Sequence, residues 1–262
     1  MPSESKRVCV TGIGAVSPFG RDAESFWRGL TSGTSAVAAI ASFDASDLAC
    51  RVAGEVHDYA PREDMDPEAA AAMGRRSLFA ADAAIQALIQ SELPINSETV
   101  TSIGVAIGSE LPPSIATTAA DIARTVSAGG PVSHLTNGAA SGLMAIGEAA
   151  EWIRREDCAV AVAGGADMPL TRAWIEHYDA AGMLTHANAD PERAIKPYDA
   201  TRDGFALAEG AAMLVLEDED LAIRRGATIL AYLDGYGSTF SRSASPTPRR
   251  IPSMPGARCR RR

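Results

Sequence analysis

The chain has 262 residues, of which 46% are apolar and 22% charged, and a formal net charge of −9, as expected of an ordinary globular protein. Residues 1–6 lack the apolar core of a secretory signal, and no apolar run has the length of a membrane span, so we expect a cytoplasmic protein without membrane contact. The four cysteines are scattered without metal-ligand or disulfide spacing, so we predict no metal site.

Apolar, β-branched runs alternate with helical patterns along the chain. In chain order, the pattern predicts a strand at residues 8–15, a helix at 69–90, a strand at 103–107, helices at 116–126 and 143–155, strands at 158–163 and 212–216, a helix at 218–225 and a strand at 228–236. This alternation is typical of an α/β fold in which helices cover a mixed sheet.

The segment at residues 136–142, Thr-Asn-Gly-Ala-Ala-Ser-Gly, carries the strongest functional signal. A tight turn of small residues opens directly onto the predicted helix at 143–155, which is the arrangement of a nucleophile elbow. The first residue of such a helix lies over free backbone N–H groups and the positive end of the helix dipole, where a thiolate is stabilised.

Six ordered motifs resemble those of the β-ketoacyl-acyl-carrier-protein synthases, or ketosynthases, most closely the KAS II type. They lie at residues 7–20, 25–33, 103–109, 136–142, 163–167 and 196–211. In that family the elbow contains a nucleophilic Cys, and the matching position here is Ala139, whose methyl group cannot attack a thioester. The resemblance implies a thiolase-like layered fold built from two similar halves. Residues 1–240 would form the first half and the opening strand of the second.

The resemblance also implies the residues around the elbow. We expect the acyl pocket and its structural support to include Ile107, His134, Ser141, Gly142, Arg202, Asp203, Phe205 and Glu209. Ser141 should face the helix side and not the pocket, whereas His134 would either reach the pocket or have a structural role. Arg202, Asp203 and Glu209 should form one buried polar support, because buried charges must be paired.

Ketosynthases take an acyl group from an acyl carrier protein onto Cys, decarboxylate a malonyl unit and condense the two, in fatty-acid or polyketide biosynthesis. Condensation needs the thiolate, a pair of His residues and an oxyanion hole together. Because Ala139 lacks the thiol and nothing after residue 239 matches the His pair, we expect the chain alone to be inactive. No cofactor is implied.

Two hypotheses remain. In the first, the chain is a non-catalytic partner comparable to chain-length factors, which pairs with an intact ketosynthase or with itself and meets an acyl carrier protein. In the second, it is a condensing enzyme in which Cys was replaced by Ala, or which is truncated or frameshifted. For pairing, the resemblance suggests that the strand at 158–163 meets its counterpart across a two-fold axis.

The tail at residues 241–262 contains seven Arg and four Pro but no Asp or Glu. It has too few apolar residues to bury, so we expect it to be disordered. A basic tail on an acidic body can bind nucleic acid. We favour instead an out-of-frame extension, and expect no nucleic-acid partner.

Overall fold

The computed structural model describes residues 6–96, 102–110 and 118–239. The strands within these ranges are β1 (Val8–Val16), β2 (Ala38–Ala39), β3 (Val52–Ala53), β4 (Ile103–Gly108), β5 (Val132–Leu135), β6 (Val160–Asp167), β7 (Gly210–Asp218) and β8 (Ala231–Tyr232). The helices are α1 (Ala23–Ser32), α2 (Pro67–Ala72), α3 (Arg75–Ser91), α4 (Thr118–Thr125), α5 (Ser141–Arg154), α6 (Arg172–Ala180) and α7 (Glu219–Arg224), with a 3₁₀ turn at Pro191–Arg193. The predicted tail at 241–262 lies outside the described residues.

A mixed sheet with the strand order β5-β4-β6-β7-β1-β8 forms the centre of the molecule. Strand β4 is parallel to β5 and β6, whereas the pairs β6–β7, β7–β1 and β1–β8 are antiparallel. This sheet confirms the predicted α/β class.

Helices cover both faces of the sheet, because its strands alternate apolar side chains between the two faces. Phe79 of α3 and Ile122 of α4 pack with Ile107 on one face. Ala149 and Ile153 of α5 pack on the other face. None of these five side chains is more than 1% exposed.

Helix α3 lies unusually close to β1. A Cβ atom on Gly12 would stand 2.0 Å from the carbonyl oxygen of Ala87, and one on Gly14 would stand 1.9 Å from that of Ala83. The two glycines are two residues apart on the strand, and the alanines that they contact are four residues apart on the helix. Both glycines therefore lie on the face of the sheet that α3 covers. This contact places the first turn of α3, with its arginines, beside the candidate site.

The same helix closes part of the outer edge of β1. Strand β8 pairs only with Cys9 and Val10. Farther along β1, the amide of Ile13 donates to the side-chain oxygen of Gln90 at 2.6 Å, and that of Ala15 donates to Gln86 at 3.2 Å. Side chains of α3 thus accept hydrogen bonds that a neighbouring strand would otherwise accept.

The predicted helix at 69–90 is wrong in its continuity, because the structure has two helices there. Helix α2 begins after Asp66, whose carboxylate accepts from the amides of Glu68 and Ala69. It ends at Met73, which is extended, and Gly74 then starts α3. The predicted helix at 116–126 corresponds to α4, and its residues 116–117 lie outside the described ranges.

The predicted strand at 228–236 is also too long, since only Ala231–Tyr232 forms β8. Leu230 and Leu233 add amide bonds to the carbonyls of Val10 and Val8, after which the chain leaves the sheet. Beyond them, the Tyr236 ring packs against Gly147 of α5, where a Cβ atom would come within 2.3 Å of the ring. Helix packing therefore replaces strand pairing in this segment.

Strand β6 cannot serve as the pairing strand across a two-fold axis, because β4 and β7 already flank it. That expectation for residues 158–163 is wrong. Within the described ranges the main sheet has two edge strands, β5 and the two-residue β8, and each has a neighbour on one side only. No helix in the described part of the chain is long and apolar enough to cross a membrane.

Candidate active site

The turn between β5 and α5 forms the elbow that the sequence predicts. Gly138 adopts φ +69°, which glycine tolerates without strain. The Ser141 hydroxyl donates to the carbonyl of Gly138 at 2.6 Å and accepts from the amide of Asn137 at 2.7 Å. Ser141 is 1% exposed, so its side chain holds the turn together from inside.

The first turn of α5 leaves backbone donors free beside Ala139. The Ser141 amide bonds to Gly138 and the Met144 amide to Ala140. The amides of Gly142 and Leu143 have no acceptor among the described residues, as expected for the first turn of a helix. Ala139 itself is exposed. The position would suit an anionic nucleophile, but the side chain there is a methyl group.

Three glycines bring this turn onto the sheet. A Cβ atom on Gly108 would lie 2.1 Å from the carbonyl oxygen of Ser141 and 2.4 Å from the amide nitrogen of Gly142. One on Gly165 would lie 3.2 Å from the Gly142 Cα atom. The elbow therefore rests directly on the ends of β4 and β6.

A cleft of about 330 Å³ opens where these elements meet. Its walls come from the end of β4, the elbow, the end of β6 and the start of β7. The residues that line it are Gly108, Ser109, Glu110, Gly138, Ala139, Gly142, Gly165, Ala166, Asp167, Gly210, Ala211 and Ala212. The small residues leave room for a ligand beside Ala139.

A larger cavity of about 530 Å³ lies away from the elbow, against α2, α3 and α4. Its carboxylates already have partners within the chain. Asp64 pairs with Arg62, Asp66 caps α2, and Asp121 pairs with Arg124. This cavity lacks a reactive group, so we place the candidate site at the elbow cleft.

Ser109 and His134 are joined at the edge of the cleft. The Ser109 Oγ atom lies 2.8 Å from His134 Nε2, and the Ser109 amide donates to the carbonyl of Leu135 at 3.0 Å. Burial, and then the positive charge of Arg76, lower the pKa of the His134 imidazole below its ordinary value. His134 is therefore neutral at pH 7.

This lowered pKa predicts a pH dependence of stability. In the unfolded chain His134 takes up a proton near its ordinary pKa of about 6.5, whereas the folded chain resists protonation until lower pH. Unfolding then binds protons, so the free energy of unfolding should fall as pH drops from 6.5 to 5.5, by at most about 1 kcal/mol. Urea unfolding at several pH values measures this fall.

The His134→Gln variant should lose most of that pH dependence, because glutamine does not titrate. His177→Gln is the matched control, since His177 is exposed, and it should keep the wild-type dependence. Equal slopes for wild type and His134→Gln would contradict the assignment.

Glu209 is buried, but its partner is not the predicted one. Arg75 of α3 binds it through two hydrogen bonds, from Nε at 2.8 Å and from Nη2 at 2.7 Å, and the amide of Val56 adds a third. The prediction of a shared buried support with Arg202 and Asp203 is wrong, because both of these residues are exposed.

Arg202 and Asp203 make local contacts instead. Arg202 donates to the carbonyl of Asp199 at 2.8 Å. Asp203 accepts from the Thr185 hydroxyl at 2.8 Å and from the amide of His186. These contacts stabilise the loop that precedes β7. The partner of Glu209 is Arg75 of α3 instead.

Two more predicted pocket residues lie away from the cleft lining. Ile107 is fully buried in the core between the sheet and α3. Phe205 is 36% exposed and packs its ring against Tyr178 at 6.0 Å. Of the predicted set, only Gly142 and the position of Ala139 line the cleft itself.

Sequence reasoning missed the polar residues at the edge of the cleft. Asp167 accepts from the amide of Glu110 at 2.6 Å, and Arg76 Nη2 lies 3.5 Å from its other carboxylate oxygen. The Gly-Gly-Ala-Asp end of β6 was a usable signal for Asp167. No group of three or more metal-ligating side chains occurs in the described ranges.

Comparison with known proteins identifies the family. The family model for the beta-ketoacyl synthase N-terminal domain matches residues 5–113 and 111–222. The chain belongs to this family. A curated member of this β-ketoacyl synthase family, the 3-oxoacyl-[acyl-carrier-protein] synthase 2 of Synechocystis, is 33% identical over 263 residues, which cover 90% of this chain and 63% of that protein.

Solved structures of ketosynthases share the fold. The ishigamide ketosynthase/chain length factor aligns with a TM-score of 0.80 and 26% identity, over 89% of this chain and 64% of that one. A ketosynthase bound to a hexaketide, in complex with a type II PKS acyl-carrier protein, aligns with a TM-score of 0.74 and 27% identity, over 88% and 63%. The thiolase-like arrangement expected from the resemblance is confirmed. The chain spans 57–63% of the length of the first curated relatives that it matches.

Proposed function

We propose that this chain is a non-condensing subunit of fatty-acid or polyketide assembly that acts as a chain-length factor does. The observation that carries the proposal is Ala139, which is exposed in the turn before α5, where the amides of Gly142 and Leu143 have no acceptor among the described residues. The elbow keeps its turn, its close packing and its donors. What it lacks is the group that would form the acyl thioester.

The similarity to a ketosynthase/chain length factor structure supports this role. A condensing enzyme is less well supported, because condensation would have to proceed at Ala139 without a nucleophile. A subunit that keeps the fold but not the thiol can still present a surface and a cleft to a partner.

The partners in this proposal are an acyl carrier protein and either an intact ketosynthase or a second copy of this chain. Strand β5 is the surface that would pair, since it has β4 on one side only and Val132 is 48% exposed. An unpaired strand edge offers amides and carbonyls to a strand of another chain. Pairing through β5 replaces the earlier expectation for residues 158–163.

The proposal predicts that the elbow remains unacylated. After incubation with octanoyl-acyl carrier protein, the tryptic peptide of residues 125–154, which contains the whole elbow, should carry no octanoyl group. Ala139→Cys should restore weak acylation at most, because the thiol gains the free amides but no catalytic His pair. Peptide mass spectrometry measures both.

The experiment needs a positive control for acylation and a negative control for the position of the thiol. An intact ketosynthase treated in the same way must show acylation of its own elbow Cys. Ser141→Cys in this chain places a thiol two residues away, on the buried side of the turn, and should stay unmodified. Octanoylation of the wild-type elbow peptide would overturn the non-condensing proposal.

A further inference from the structure

The pair formed by Ser109 and His134 remains unexplained by a non-condensing role. Ser109 lines the cleft although only 2% of it is exposed, and its Oγ lies 2.8 Å from His134 Nε2. Gly108 pairs with Leu135 in the parallel ladder, and the Ser109 amide continues that ladder. Two strand ends therefore fix both residues, which gives the pair a defined geometry.

We propose that Ser109 and His134 are a nucleophile and its general base, and that they remove the acyl group from a small acyl thioester bound in the cleft. This activity goes beyond the proposed function, since it needs neither Ala139 nor a condensing partner.

The chemistry balances with the residues present. The Ser109 Oγ–C bond forms at the thioester carbonyl while His134 Nε2 takes the hydroxyl proton. The C–S bond then breaks, and Nε2 returns the proton to the leaving thiolate. Water attacks the resulting ester through the same base, which finally restores the Ser109 hydroxyl. The products are a carboxylic acid and a free thiol.

Three features of the site support these roles. The lowered pKa keeps His134 neutral at pH 7, and in the tautomer that is protonated at Nδ1 its Nε2 can accept a proton. Gly142 lines the same cleft, and its amide has no acceptor among the described residues, so it is available to a developing oxyanion. The methyl group of Ala139 cannot compete with Ser109 as a nucleophile.

The base lacks one element of the full catalytic arrangement. His134 Nδ1 is buried without a hydrogen-bond partner in the described part of the chain. When Nε2 accepts the serine proton, Nδ1 must carry the other one, and no carboxylate of the described residues orients it there. Because such a third group speeds serine catalysis, we expect a slow activity. Asp167, which lies 3.5 Å from Arg76, lines the cleft instead.

The alternative is that the Ser109–His134 bond only ties β4 to β5. Release of thiol from acetyl-N-acetylcysteamine, followed by peptide mass spectrometry, separates the two. Activity predicts an acetyl group on the tryptic peptide of residues 77–124, which contains Ser109, and thiol release that Ser109→Ala abolishes. His134→Ala should slow the release about 100-fold, and added imidazole should restore part of it.

Ser133→Ala is the matched control, because Ser133 precedes His134 on β5, and it should release thiol at the wild-type rate. Circular dichroism melting shows whether each variant is folded. Thiol release by wild type no faster than by Ser109→Ala, or an acetyl group on a peptide outside residues 77–124 and 125–154, would overturn the proposal. Acylation of residues 125–154 would count against the non-condensing role instead, so the two failures are distinct.

Discussion

Replacing Gly14 with alanine is expected to lower the free energy of unfolding by about 3 kcal/mol, at the upper end of the cost of overpacking. The new Cβ atom would stand 1.9 Å from the carbonyl oxygen of Ala83 and 2.9 Å from the Cβ atom of Gln86. Neither the strand nor the helix backbone can move away without breaking its own hydrogen bonds. For a chain of this size, the melting temperature should fall by roughly 10 °C.

Gly235→Ala is the matched control, since no atom lies within 4 Å of a Cβ placed there. It should change the free energy of unfolding by less than about 0.5 kcal/mol. Urea unfolding of the two variants makes the comparison. Equal stabilities would mean that α3 does not approach β1 as closely as described.

Replacing Arg225 with alanine should cost about 3–5 kcal/mol, because it leaves a buried charge without its partner. Glu217 is 0% exposed, and Arg225 donates to it from Nε at 2.8 Å and from Nη2 at 2.5 Å. The Thr11 hydroxyl also donates to this carboxylate but carries no charge. The same guanidinium bonds to the carbonyl of Ser91, at the end of α3.

A surface ion pair provides the control for this variant. Arg7 binds Glu219 at 2.8 Å, but 55% of its side chain is exposed, so Arg7→Ala should cost less than about 1 kcal/mol. In the Arg225→Ala background, Glu217→Gln should recover part of the loss by removing the stranded charge. A double variant less stable than Arg225→Ala alone would contradict this account.

The sequence predicts the central strands well, because their apolar runs are buried on both faces and bounded by turns. β1, β4, β6 and β7 all overlap their predicted ranges. It does not predict β5, since Val-Ser-His-Leu is short and only partly buried. The break between α2 and α3 falls at Met73 and Gly74, whose backbone is extended, and the spacing of apolar residues does not predict it.

Some parts of the candidate site could likewise be predicted from the sequence, and others could not. The elbow is local in sequence, so its turn, its helix and Ala139 follow from one segment. The partner of Glu209 could not be predicted in this way, because Arg75 is 134 residues away in the sequence. Arg202 and Asp203 are closer in sequence and were wrongly predicted to be its partners. Ser109 and His134 are 25 residues apart and meet only because β4 and β5 are parallel neighbours.

The two glutamines of α3 that accept hydrogen bonds from β1 have a consequence for assembly. They occupy one lateral side of the sheet, so growth by strand addition is blocked at that end over Ile13–Ala15. If two copies join through β5, each outer flank of the combined sheet consists of the two-residue β8 and of the part of β1 that Gln86 and Gln90 cover. Because so little strand edge is left on either flank, we expect such a pair to stop at two subunits instead of extending into a fibre.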